Sequence, residues 1–222
     1  MGKHWVRQQI KRNEVQEAVG RALAWTAGNR RTAGIAAGVS AGVILCAGLF
    51  LYSYRARQNA AWDQLSLAYG YASGGKADAA VKKVDELNAE YPASAASGYG
   101  LLFAGDLLFH RERSAESVKY YQQLLGRGRP QVLLPLAWGG LAAAQEAAGK
   151  CSEAVETGER FLGAYPDHFL APQVHMSLAR CQASLGRADA ARAAWQKIAL
   201  QYPDTSWAQA AQERLKALGG GA

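Results

Sequence analysis

The sequence predicts an all-α protein: a single N-terminal transmembrane helix, then an α-solenoid of four 37-residue helix pairs, closed by a C-terminal capping helix. Three observations predict it. The 23 residues from Thr32 to Tyr54 carry no charge. The dipeptide Tyr-Pro recurs at Tyr91-Pro92, Tyr165-Pro166 and Tyr202-Pro203, at spacings of 74 and 37. The composition is half apolar, with 6 Pro and few β-branched residues, which favours helix.

Three regions follow in chain order. Residues 1–31 form a basic segment. It holds Lys3, Arg7, Lys11, Arg12, Arg21, Arg30 and Arg31 against Glu14 and Glu17, or +5 of the chain's formal +7. Val15, Ala18, Val19, Ala22 and Trp25, with Leu23 beside them, recur at helical spacing. The segment reads either as an amphipathic helix on an anionic leaflet or as a basic tail that only sets topology. Residues 32–54 follow. At 1.5 Å per residue they span about 34 Å as a helix, enough for a bilayer core. The run is too long for a cleaved signal peptide and no A-x-A site follows it. Leu45 before Cys46 argues against a lipoprotein signal. The excess of Lys and Arg ahead of the span places the N-terminus in the cytoplasm and residues 55–222 outside, which in a bacterium is the periplasm. Gly34, Gly38, Gly42 and Cys46 repeat every four residues and make a small-residue stripe for packing against another membrane helix or a second copy.

The remaining residues, 55–222, are nearly neutral at +2, a poor surface for nucleic acid. They are periodic. Gly75, Glu112, Gly149 and Gly186 are 37 apart, as are Ala80, Ser117, Ala154 and Ala191; Leu67, Ala104, Leu141 and Leu178; and Ala68, Gly105, Ala142 and Ala179. Each unit reads as two helices: 58–73/76–90, 95–110/114–126, 132–148/151–164 and 169–185/188–201, with a last helix at 205–217. Gly ends the first helix in a left-handed residue. Pro stops the second, because it disfavours helix at the residue before it. The small residues let paired helices approach, and the last helix caps the stack.

These residues resemble the tetratricopeptide repeat family, whose pattern is W-x2-L-G-x2-Y followed by Gly, Ala, an aromatic and Pro. The third unit carries it as Trp138, Leu141, Ala142, Gly149, Ala154, Phe161 and Pro166; the first adds Tyr71, where the third and fourth have Gln145 and Gln182. The segments YPASAASG and YPDTSWAQAA are similar to those of periplasmic envelope-assembly and Tol–Pal division proteins. The whole-chain layout resembles the ancillary SecYEG translocon subunit (YfgM-like) family. That resemblance implies a scaffold at the translocon exit, working with translocon subunits and periplasmic chaperones. The alternative is a cell-envelope assembly or division scaffold.

The resemblance also implies a protein-binding groove lined by first-helix positions. By offset these are Trp62, Leu65, Tyr69, Tyr99, Leu102, Asp106, Phe109, Leu136, Glu146, Gln173, Met176 and Arg180. Aromatic residues in the first two units are expected anchors for a peptide.

Catalytic chemistry is not expected, nor a cofactor or metal. Gly70 to Ala77 reads G-x-x-x-x-G-K-A. It has Ala where magnesium needs Ser or Thr, and it sits between helices where a phosphate loop needs a strand first. His4, His110, His168 and His175 make no metal-ligand spacing. Cys151 and Cys181 fall on helices that should pack together, and both a disulfide and a pair of buried thiols are open to them.

Overall fold

The computed structural model describes residues 16–17 and 19–219. Among them there is helix and no strand. Residues 19–28 are helical, with Val19, Leu23 and Trp25 exposed; Val15 and Ala18 of the amphipathic pattern lie outside the described residues, as does His4. The chain divides between Ala56 and Arg57 into two compact units.

Helix α1 (Arg30–Ser73) is the one helix among the described residues that is long and apolar enough to cross a membrane. Ile35, Val39, Val43 and Phe50 on it are all exposed, and nothing lies close to Gly34, Gly38 or Gly42. The separate helix expected at 58–73 is instead the C-terminal part of α1. No Gly or Pro stands between Leu49 and Tyr69 to end the helix sooner.

The solenoid continues as α2 (Ala77–Glu90), α3 (Ala95–His110), α4 (Ser114–Arg127), α5 (Leu134–Ala147), α6 (Cys151–Ala164), α7 (Ala171–Ser184), α8 (Ala188–Gln201) and α9 (Ser206–Gly219). The four expected pairs and the capping helix are present, with shifts at two starts. A 3₁₀ turn, Gln131–Leu133, leads into α5. Phe169 and Leu170 stay in the turn before α7, where Pro172 takes the early helical position that suits it.

The turns explain the 37-residue period. Gly75, Gly149 and Gly186 have φ of 76°, 75° and 73°, the left-handed conformation that costs glycine nothing. Glu112, their equivalent in the second unit, takes φ 60° despite its side chain. Tyr91, Tyr165 and Tyr202 end their helices with nearly one backbone conformation, each N–H donating to a carbonyl four residues back. Three residues on, Ser94 and Thr205 each accept a backbone N–H from the first turn of the next helix, and His168 accepts that of Leu170 in the turn before α7. At the missing Tyr-Pro, Gly128 ends α4 with φ 68°.

The predicted close-approach positions are buried. Ala68, Ala142 and Ala179 on the first helices and Ala80, Ala154 and Ala191 on the second are at most 2% exposed, and in the second unit the Ser117 hydroxyl donates to the Gly105 carbonyl at 2.9 Å. Leu67 is 54% exposed although Leu141 and Leu178 are buried. It lies at the first unit, where no preceding helix pair covers it. Leu65, Leu87, Leu108, Leu124, Phe161 and Ile198 are fully buried, each contributing roughly 1.5–3 kcal/mol over exposure. Cys151 and Cys181 form a disulfide between α6 and α7, their Cα atoms 4.9 Å apart, within the usual range for such bonds.

Candidate functional site: a groove along the first helices

Three of the first helices, α3, α5 and α7, share one cleft of about 310 Å³. It brings together Leu102, Asp106, Leu136 and Gln173, four of the residues expected to line a groove, with Gly139 and Gly140 in its floor. Around Gly140 a side-chain ring packs directly on the backbone. The Tyr121 ring from α4 lies between Gly105 and Gly140, and a Cβ on either glycine would sit 2.8 or 2.5 Å from it. The Tyr121 hydroxyl donates to Asp106 Oδ1 at 2.6 Å. Burial raises the pKa of the Asp106 carboxyl against the opposing effect of that hydrogen bond, and raises that of Tyr121 as well. The cleft therefore carries one carboxylate held in place from beneath by a phenol.

Toward the N-terminal end the wall is aromatic. Trp62 and Tyr99 lie 5.4 Å apart between centroids, and Tyr69 meets Phe103 edge-on at 4.4 Å. Trp62 and Tyr69 remain exposed. Such rings present rigid apolar area at small entropic cost, which suits them as anchors. Toward the C-terminal end the Arg180 guanidinium grips Glu146 with two N–H groups, and the Ser177 hydroxyl donates to Glu146 Oε2 at 2.6 Å. The carboxylate holds the Arg180 pKa above its ordinary value. Glu146 and Arg180, both expected groove residues, thus occupy each other.

Of the remaining expected positions, Phe109 is half-buried against the central core and Met176 against the C-terminal one. Leu65 is the exception. It is 1% exposed, packed with Leu87 and Ala96, and offers a partner no surface. Its equivalents Leu102 and Gly139 line the cleft in the second and third units. The other cleft residues escaped sequence reasoning, two of them with chemically distinctive side chains. His110 ends α3, and Phe169, 74% exposed, comes from the turn before α7. The signal for Phe169 was a large apolar side chain directly after the polar turn Pro166-Asp167-His168. Among the described residues no group of three or more His, Cys, Asp or Glu side chains converges as metal ligands do.

Residues 173–205 match the tetratricopeptide repeat family model. The fold is a tetratricopeptide repeat solenoid. A kinesin light chain-type protein of Podosopora anserina with nearly identical TPR-like repeats aligns at TM-score 0.58 and 17% identity, over 73% of this chain and 86% of that one. A tetratricopeptide repeat protein from Parabacteroides merdae aligns at 0.60 and 15%, over 73% and 61%. YrrB, described as a TPR protein with an unusual peptide-binding site, aligns at 0.51 and 15%, over 70% and 78%. No curated protein is significantly similar in sequence. Solenoids of this fold are typically protein-interaction scaffolds whose first helices line a binding surface.

Proposed function

We propose that the protein is a non-enzymatic, membrane-anchored scaffold. In this reading 32–54 is an uncleaved inner-membrane anchor, residues 1–31 are cytoplasmic, and the repeats stand in the periplasm. The groove binds an extended or helical segment of a protein partner, with Trp62 and Tyr69 as anchors and Asp106 as the polar contact. The observation that carries this is the cleft joining Leu102, Asp106, Leu136 and Gln173 beside the aromatic wall. The peptide-binding site of YrrB supports a peptide as the guest. The Cys151–Cys181 disulfide supports an oxidising compartment, and the basic excess ahead of the span supports the orientation. Tethering raises the effective concentration of envelope partners at the groove.

The layout supports an accessory role at the Sec translocon, with periplasmic chaperones as co-workers; Gly34, Gly38, Gly42 and Cys46 are the proposed contact with a membrane helix. Affinity purification of the full chain in mild detergent, with mass spectrometry of what accompanies it, tests this. SecYEG subunits that Gly38→Ile abolishes, together with soluble partners that Trp62→Ala and Asp106→Ala abolish, are expected. Recovery of Tol–Pal or outer-membrane assembly proteins without translocon subunits overturns the Sec assignment in favour of an envelope scaffold.

A further inference from the structure

The four repeats are built on one frame, so each interface serves as a template for the others. Tyr120 on α4 stands at the interface of the first and second units. It is 4% exposed, and its hydroxyl donates to the Asp85 carboxylate on α2, 3.2 Å from both oxygens. At 37 and 74 residues further along, the Tyr120 position carries Thr157 and Ala194, and the Asp85 position carries Gln122 and Glu159. Both truncated interfaces are open. One holds a cavity of about 270 Å³ lined by Gln122 and Thr157, among others, the next one of about 550 Å³ lined by Glu159 and Ala194. Their linings correspond residue for residue: Trp138 to His175, Leu141 to Leu178, Gln145 to Gln182. None of these residues belongs to the groove.

Neighbouring side chains do not close the gaps. In the smaller cavity the buried Gln145 Oε1 has no hydrogen-bond partner. In the larger one Ala190 and Ala193 replace Glu153 and Glu156 and widen the mouth. Glu159 makes no ion pair or side-chain hydrogen bond among the described residues. The larger site therefore retains the carboxylate that receives a phenol at the first interface, and lacks the phenol. It adjoins a second cavity containing Phe169 and Tyr202, with which it shares Leu162, His175 and Lys197.

We propose that the cavity between α6, α7 and α8 receives a tyrosine side chain from a partner protein, the phenol taking the place that Tyr120 fills at the first interface and donating its hydroxyl to Glu159. The site is separate from the groove and stands independently of how the groove is used.

The test is ligand-observed saturation-transfer NMR on the full chain in lipid nanodiscs, titrating N-acetyl-L-tyrosinamide and N-acetyl-L-phenylalaninamide. The tyrosine probe is expected to bind, and the phenylalanine probe to bind about fivefold more weakly for want of one hydrogen bond worth about 1 kcal/mol. Ala194→Tyr, which supplies the missing ring from within, is expected to remain folded by circular dichroism and to abolish binding. Ala194→Ser is expected to retain it. No binding to the native chain, equal affinity for the two probes, undiminished binding to Ala194→Tyr, or an Ala194→Tyr chain that does not fold would each overturn the proposal.

Discussion

Glu112 shows at one residue what the 37-residue period requires. Its φ of 60° is a conformation its three equivalents reach as glycine, and a side chain there costs about 1–2 kcal/mol. Glu112→Gly should raise the urea midpoint by a stability gain of up to about 1 kcal/mol once glycine's extra entropy in the unfolded chain is deducted. Gly149→Ala should lose about 1 kcal/mol, and equal midpoints for the two variants would contradict this account. His175 gives a second residue-scale expectation. Burial first, and then Lys197, lowers its pKa to about 4, against an ordinary value of about 6.5. The folded chain keeps the imidazole neutral while the unfolded chain takes up its proton below about pH 6.5. The stability this contributes is complete above that pH and is lost as pH falls towards 4. The thermal midpoint should fall between pH 6.5 and 5, and do so less steeply in His175→Leu. Parallel slopes would remove His175 as the cause.

At the level of helices, α3, α4 and α5 are locked by one ring between two glycines. Gly140→Ala places a Cβ 2.5 Å from Tyr121, and such overpacking typically costs about 1–3 kcal/mol. Tyr121→Phe keeps the packing but leaves Asp106 without its 2.6 Å donor. It should therefore alter groove binding more than it alters the melting point. The link between α6 and α7 is checked by thiol counting. In denaturant without reductant a maleimide should label Cys46 alone, and in denaturant after reduction all 3 Cys. Labelling of Cys151 without reductant would place two thiols there. The helices were legible because their signals are local: a glycine at three of the four first turns, Tyr-Pro at three second ends and small residues at the crossings. The disulfide was legible only as a pairing of helices, because sequence fixes which helices neighbour one another and not how two Cβ atoms face. The groove was legible as a set of offsets. What the offsets miss is the local surroundings of a position: Leu87 and Ala96 cover Leu65, and the turn before α7 brings Phe169 to the cleft.

Over the whole molecule, charge divides as the helices do. The first 31 residues hold most of the excess, and the repeats are close to neutral. Repeats of this kind contact only their neighbours, so stability is a sum of unit and interface contributions and loss begins at the ends. Open interfaces at the second–third and third–fourth junctions should make the C-terminal half exchange amide hydrogens sooner than α3 and α4. Equal protection along the solenoid would count against this. The Cys151–Cys181 bond has a mechanical consequence as well. Thirty residues separate the two cysteines, a stretch that would add roughly 100 Å of contour when drawn out. A chain pulled from both ends cannot yield that length while the bond holds. Force arriving from the C-terminus peels α9 and α8 and then crosses the bond from Cys181 to Cys151, so α6 and most of α7 are shielded while the tension passes on to α5.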